Sequence, residues 1–77
     1  MEINLLFFGQ VADITGKSKS RVSDMRDTEE LGIWLTRNWP KLQFIKYSVA
    51  VNKKVIQENT QLQHEDTVAL LPPFSGG

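Results

Sequence analysis

Between Asp27 and Pro40 the sequence carries one helical stripe, and its other apolar segments have the length and residue types of strands. Leu31, Leu35 and Trp39 recur at i, i+4 and i+8, with Trp34 beside them, so one face of a helix is apolar. Asp27 is placed to cap the free N–H groups of the first turn, and Glu30, three residues on, reaches back as in a capping box. The acidic Glu29 and Glu30 also complement the helix dipole. Pro40 has no N–H and disfavours helical backbone in the residue before it, which stops the helix at Trp39. Gly32 inside this segment costs roughly 1 kcal/mol against Ala. A single helix covers one face of a sheet and leaves the other open, and that constraint governs the rest of the chain.

The strands fall on both sides of the stripe. Glu2 to Phe8 is aliphatic and aromatic and stops at Gly9, as a strand does. Lys17 to Val22 alternates charged with small or apolar residues, which suits a half-exposed edge strand. Gly9 to Gly16 is expected to reverse the chain between these two as a hairpin. Tyr47 to Val51 is a third strand, Asn52-Lys53-Lys54 turns it, and Val55-Ile56 is its short partner. Gln57 to His64 is a polar connector anchored by Leu62, and Thr67 to Leu71 is the last strand. The order β-β-α-β-β-β predicts an α+β fold of the β-grasp kind: a mixed sheet of about five strands with one main helix packed across it. The first and last strands are the most apolar and are expected side by side in its middle. One domain is expected over residues 1–71, followed by an extended tail over 72–77, because prolines cannot donate to a ladder.

With 77 residues and no cysteine, the chain has room for one domain and has no disulfide, thiolate nucleophile or cysteine-bound metal. One histidine, His64, cannot build a multi-histidine metal centre. Nine basic and nine acidic side chains balance, which argues against nucleic acid as a partner, since counterion release needs a basic excess. The apolar run Leu5–Phe8 is far short of the roughly 20 residues that span a bilayer, so no membrane association is expected and a cytoplasmic location is. Glu29-Glu30 is explained by helix capping and Glu65-Asp66 by a turn before a strand, so neither pair reads as an acid–base couple. His64 reads as a solvated loop residue. Lys17, Lys19 and Arg21 share one face of the edge strand and read as a solvated border, with an acidic partner surface as the alternative. No phosphate-binding glycine spacing is present. An independent enzyme is not expected.

Strand parity points elsewhere. If Ile3, Leu5, Phe7, Val51, Ile56, Val68 and Leu70 pack under the helix, then Leu6, Phe8, Val55, Ala69 and Leu71 lie on the uncovered face, a patch of the kind that binds partners. That patch leads into Pro72-Pro73-Phe74-Ser75-Gly76-Gly77. Prolines lower the entropy lost when a tail is held extended. Glycines let backbone enter a channel too narrow for any Cβ. Together they present the carboxylate of Gly77 as a reactive group that other enzymes must activate, typically by adenylation.

Leu6-Phe7-Phe8-Gly9-Gln10, Ala50-Val51-Asn52, the Leu31-x3-Leu35-x3-Trp39-Pro40 pattern and Asp66 to Gly77 resemble the sulfur-carrier small subunits of molybdopterin synthase, the MoaD family. The likeness spans the chain and implies a ubiquitin-like β-grasp. It also implies that Gly77 is adenylated by an E1-like, MoeB-like enzyme using ATP and converted to a thiocarboxylate with sulfur from a persulfide donor. The tail then enters the active site of a MoaE-like large catalytic subunit and gives sulfur to cyclic pyranopterin monophosphate, for molybdenum cofactor synthesis. The implied assembly is a heterotetramer of two carriers and two large subunits. The carrier itself holds no cofactor or metal. On this reading Gly76 and Gly77 are the reactive end, and Leu6, Phe8, Val55, Ala69, Leu71, Pro72, Pro73, Phe74 and Ser75 face partners. Val11-Ala12-Asp13 departs from relatives that place a basic residue there. Competing readings are a sulfur carrier of thiamine thiazole synthesis, a ubiquitin-like modifier of lysines, and a plain interaction domain.

Overall fold

A computed structural model describes residues 1–73. The chain forms β1 (Glu2–Phe7), α1 (Gly9–Thr15), β2 (Lys19–Ser23), α2 (Thr28–Asn38), β3 (Ser48–Val51), β4 (Lys54–Ile56) and β5 (Thr67–Leu71), with a short 3-10 helix at Pro40–Phe44. The five strands make one sheet in the order β2-β1-β5-β3-β4. β1 and β5 run parallel at its centre, and all other pairs are antiparallel. The last strand beside the first, the mixed sheet and α2 across it are the expected β-grasp.

Alternation along β1 and β5 sorts the core. Leu5 pairs with Val68 and Phe7 with Leu70, while Val49 and Val51 of β3 continue the same rows. Ile3, Leu5, Phe7, Val68 and Leu70 are buried, and they form one cluster with Leu31 and Leu35 of α2. The Asp27 carboxylate accepts the Glu30 backbone N–H at 2.8 Å, the expected cap. Glu30 does reach back, but to the N–H of Arg26 (2.9 Å), one residue before the cap. At the other end the Trp39 N–H donates to the Leu35 carbonyl (2.8 Å), and Pro40 then opens the 3-10 helix, which buries Leu42. The Trp39 ring meets Phe7 edge to face, with centroids 6.1 Å apart, and Trp34 at 5.8 Å, so it closes the end of the core.

The connector before β5 is anchored by buried Leu62, as expected. It is also stitched to the start of α2: Thr28 donates to the Thr60 carbonyl (2.9 Å) and Leu62 to that of Arg26 (2.8 Å).

The first connection differs from the sequence reading. Gly9 to Gly16 is no hairpin reversal but the helix α1, closed by Gly16 in the left-handed region at φ 71°. Its apolar residues Val11, Ala12 and Ile14 pack on the core and Thr15 is buried beside them, so β1 and β2 pair across a helical link. A seven-residue stretch with two polar side chains and Asp13 gives too little periodicity to separate helix from loop. Lys17, placed on the strand face with Lys19 and Arg21, lies before β2, and its ammonium sits 5.7 Å from the Trp39 ring centroid. The β3–β4 turn is tighter than expected, so Lys54 belongs to β4.

Candidate functional site

The face of the sheet away from α2 is built in rows. Leu6 of β1 pairs with Ala69 of β5, Ala69 with Ala50 of β3, and Ala50 with Val55 of β4, so these four side chains run side by side across the sheet. Lys19 of β2 ends the row beside Leu6. In the next row Leu71 stands opposite Ser48, and Phe8 continues the parity of Leu6 in extended backbone. The structure thus brings Leu6, Phe8, Val55, Ala69 and Leu71 onto one face. Phe8 is 44% exposed and Val55 42% exposed. Ala50 was not singled out from the sequence, yet it lies in the middle of the row and is only 3% exposed. Two alanines at the centre make the row shallow there and higher at Leu6 and Val55; the signal was their size at paired positions, which becomes visible only once the register is known.

The same face changes character along β1 and β5. Toward the start of both strands it is polar, with Glu2, Asn4 and Thr67, and toward their ends it is apolar, with Leu6, Phe8, Ala69 and Leu71. The polar end is held by a network. Arg21 reaches Glu65 at 2.7 Å and Glu2 at 3.5 Å, and the Ser23 hydroxyl donates to the Glu2 carboxylate. The Ser23 hydrogen bond foremost, with Arg21 assisting, holds the Glu2 carboxyl below the usual range. His64 is exposed as expected, but its Nδ1 also accepts the Glu2 backbone N–H at 2.9 Å, a contact its loop position did not suggest. Asp66 accepts from the Gln63 N–H (2.8 Å) and from Asn52 Nδ2 (2.9 Å), which matches its turn role. Asn52 returns an acceptor to the Thr67 N–H (2.9 Å) and so pins β3 to the start of β5.

At the apolar end β5 stops at Leu71, and Pro72 and Pro73 follow outside the sheet, both exposed. Phe74, Ser75, Gly76 and Gly77 lie outside the described residues. Among the described residues no three His, Cys, Asp or Glu side chains converge to hold a metal. Nor is any described helix long and apolar enough to cross a membrane. What the geometry offers is an apolar surface on the sheet, with Pro72 and Pro73 leaving its central strand at that end.

Residues 5–77 match the model of the ThiS family. The chain belongs to the ThiS family. A human relative, the molybdopterin synthase sulfur carrier subunit, is 28% identical over 83 residues, covering 99% of this chain and 94% of that protein. Among solved structures, this ThiS-family chain is similar to subunit 1 of the molybdopterin-converting factor from Helicobacter pylori, which was solved in complex with subunit 2. That likeness has 28% identity, a TM-score of 0.74 and full coverage of both chains (100% and 100%). The small archaeal modifier protein 1 of Methanosarcina acetivorans shares the fold, at a TM-score of 0.82 and 20% identity over 99% of this chain and 96% of that one.

Proposed function

We propose that this chain is the sulfur-carrier small subunit of a molybdopterin synthase, non-catalytic alone, which brings sulfur on Gly77 to the active site of a larger subunit. One observation carries the reading: β5 supplies the middle of the open apolar face and at Leu71 runs straight into Pro-Pro-Phe-Ser-Gly-Gly. A partner seated on Leu6, Phe8, Val55, Ala69 and Leu71 therefore receives the tail from a fixed origin at the end of β5. Full-length likeness to a protein named as a sulfur carrier supports this role. Likeness to a Helicobacter subunit solved with its second subunit supports a partner for the face.

The proposed chemistry follows from the weakness of a carboxylate as an acyl donor. An oxygen of Gly77 attacks the α-phosphorus of ATP on an E1-like enzyme; pyrophosphate leaves and an acyl adenylate remains. The terminal sulfur of a persulfide then displaces AMP at the acyl carbon. A C–S bond forms, giving an acyl persulfide; a thiol then cleaves the S–S bond that the donor brought, forming a disulfide with the donor sulfur and leaving the thiocarboxylate. In the large subunit that sulfur passes to cyclic pyranopterin monophosphate, and water returns Gly77 to a carboxylate. Gly76 and Gly77 give the thread its narrow bore, and Pro72 and Pro73 limit the entropy lost on threading. Phe74 and Ser75 complete the segment the partner holds. Two carriers and two large subunits make up the working assembly.

The test is intact mass after incubation with the host's adenylating enzyme, ATP and a persulfide donor, beside a chain lacking Gly77. Replacement of one oxygen by sulfur, absent from the truncated chain, is the expected result. An unchanged mass with active enzymes overturns the carrier reading, and a mass shift to lysine-linked adducts moves the chain to protein modification. A loaded chain that passes no sulfur to the pterin precursor in the presence of the large subunit assigns it to another sulfur pathway.

A further inference from the structure

Where the β1–β5 ladder ends, one contact takes its place. The last bond between the strands runs from the Phe8 N–H to the Leu70 carbonyl (3.1 Å). Pro72 has no N–H with which to continue it. Its ring instead lies against the Cα of Gly9: a Cβ built on Gly9 would stand 3.0 Å from Pro72 Cγ, 3.7 Å from Cδ and 3.9 Å from Cβ. Ordinary carbon–carbon contact lies at about 3.5–4.0 Å, so no side chain fits there without moving the ring. Gly9 also takes a left-handed φ of 55°, where the chain turns out of β1 into α1. Gly16 makes an instructive contrast. It has a similar φ of 71°, but a Cβ on it would meet nothing within 4 Å. Gly16 is needed for its backbone alone, whereas Gly9 is needed both for its backbone and for the space it leaves.

From these contacts we infer that Gly9 is a positioning residue for sulfur loading and transfer: its bare Cα is the seat on which Pro72 rests, and that seat sets the direction in which the tail leaves the sheet. The inference rests on the carrier reading above. Five residues follow Pro72, so they reach at most ~18 Å, at ~3.3–3.6 Å each. A small displacement at the pivot is therefore carried to the reacting carboxylate, where misplacement by about 1 Å costs up to a hundredfold in rate. Docking through the row Leu6, Ala69, Ala50 and Val55 is left intact, because these residues are fixed by the strand register rather than by Gly9.

The experiment compares Gly9→Ala with Gly16→Ala in the mass-detected loading reaction, at a temperature where both are folded. Gly9→Ala is expected to lower kcat about tenfold with KM within twofold of wild type, and Gly16→Ala to change both by less than twofold. In a Pro72→Ala background the ring is gone, and adding Gly9→Ala is expected to cost less than twofold further. Should Gly9→Ala fail to fold, Gly9→Asn carries the same Cβ on a residue that tolerates the left-handed region. Equal losses from the two glycines, or an undiminished Gly9 effect without the Pro72 ring, overturn the seat and leave the carrier reading standing. A wild-type chain that takes up no sulfur overturns the carrier reading, and this role for Gly9 with it.

Discussion

The two faces of the central strands are made from alternate residues of the same short segments, yet they do different work. Under α2, Ile3, Leu5, Phe7, Val68 and Leu70 are all but sealed from water, whereas one residue along in each case Asn4, Leu6, Ala69 and Leu71 stay partly open and Phe8 is exposed. Both faces are apolar where the strands end, so hydrophobicity alone does not separate them. What separates them is that, among the described residues, helices lie on one side only. Burial then makes the covered face the source of stability, and the other face is the one that the proposed carrier role gives to a partner.

Substitution should divide the two cleanly. Phe7→Ala removes a buried ring that also supports Trp39, a change worth about 3–5 kcal/mol. Domains as small as this hold little more than the lower part of the usual 5–15 kcal/mol range. Denaturant titration is expected to find the Phe7→Ala chain mostly unfolded near its working temperature. Ala69→Arg, one strand away on the open side, is expected to shift the denaturation midpoint little, because the long side chain points to solvent. Binding to the large subunit, measured by calorimetry, should weaken at least a hundredfold, since a charge is then buried at the centre of the interface. A stable Ala69→Arg chain that still binds with wild-type affinity would move the interface off this face.

Much of this division was legible in the sequence, and the exceptions share a cause. Alternation in Glu2–Phe8 and Thr67–Leu71 placed Ile3, Leu5, Phe7, Val68 and Leu70 correctly, because a period of two leaves no other face for them. The Asp27 cap and the Pro40 stop were equally readable, since each works through atoms a few residues away. α1 was not, because it is only seven residues long and its helical state is set by packing of Val11 and Thr15 on a core assembled from distant segments. The seat of Pro72 on Gly9 was hidden for the same reason, the two lying far apart in the chain. The place of Ala50 in the row needs the pairing of β3 with β5 to be seen, and the contact of His64 with Glu2 needs its loop to fold back.

A smaller effect comes from the cap of α2, on the covered side. The Asp27 carboxyl is held below its ordinary range, first by the Glu30 backbone N–H and then by Asn59 and Arg26. A carboxyl whose folded value lies below its unfolded one stabilises the fold above the unfolded value. It loses that contribution as the pH falls through the folded value. Asp27→Asn keeps a capping oxygen but cannot titrate. Its melting temperature is expected to lie a few degrees below wild type at neutral pH, with the gap closing as pH drops below about 4, the ordinary Asp value. A gap that stays constant with pH would mean that the Asp27 charge contributes nothing. Affinity for the large subunit should be unchanged, since α2 lies across the sheet from the docking face.

Gly32 offers the mildest change and the sharpest separation of the two faces. It sits inside α2, and a Cβ there would meet nothing within 4 Å. Its backbone is helical, so neither turn geometry nor crowding calls for glycine. Glycine in a helix interior is less favourable than alanine chiefly because of its larger backbone entropy when unfolded. Gly32→Ala is therefore expected to stabilise the chain by about 0.5–1 kcal/mol, raising the melting temperature by several degrees. Sulfur loading and partner affinity should not change. If the variant instead binds or loads more weakly while gaining stability, then α2 also meets a partner, and the division between a helix-covered face for folding and an open face for docking would have to be redrawn around Gly32 and its exposed neighbour Ile33.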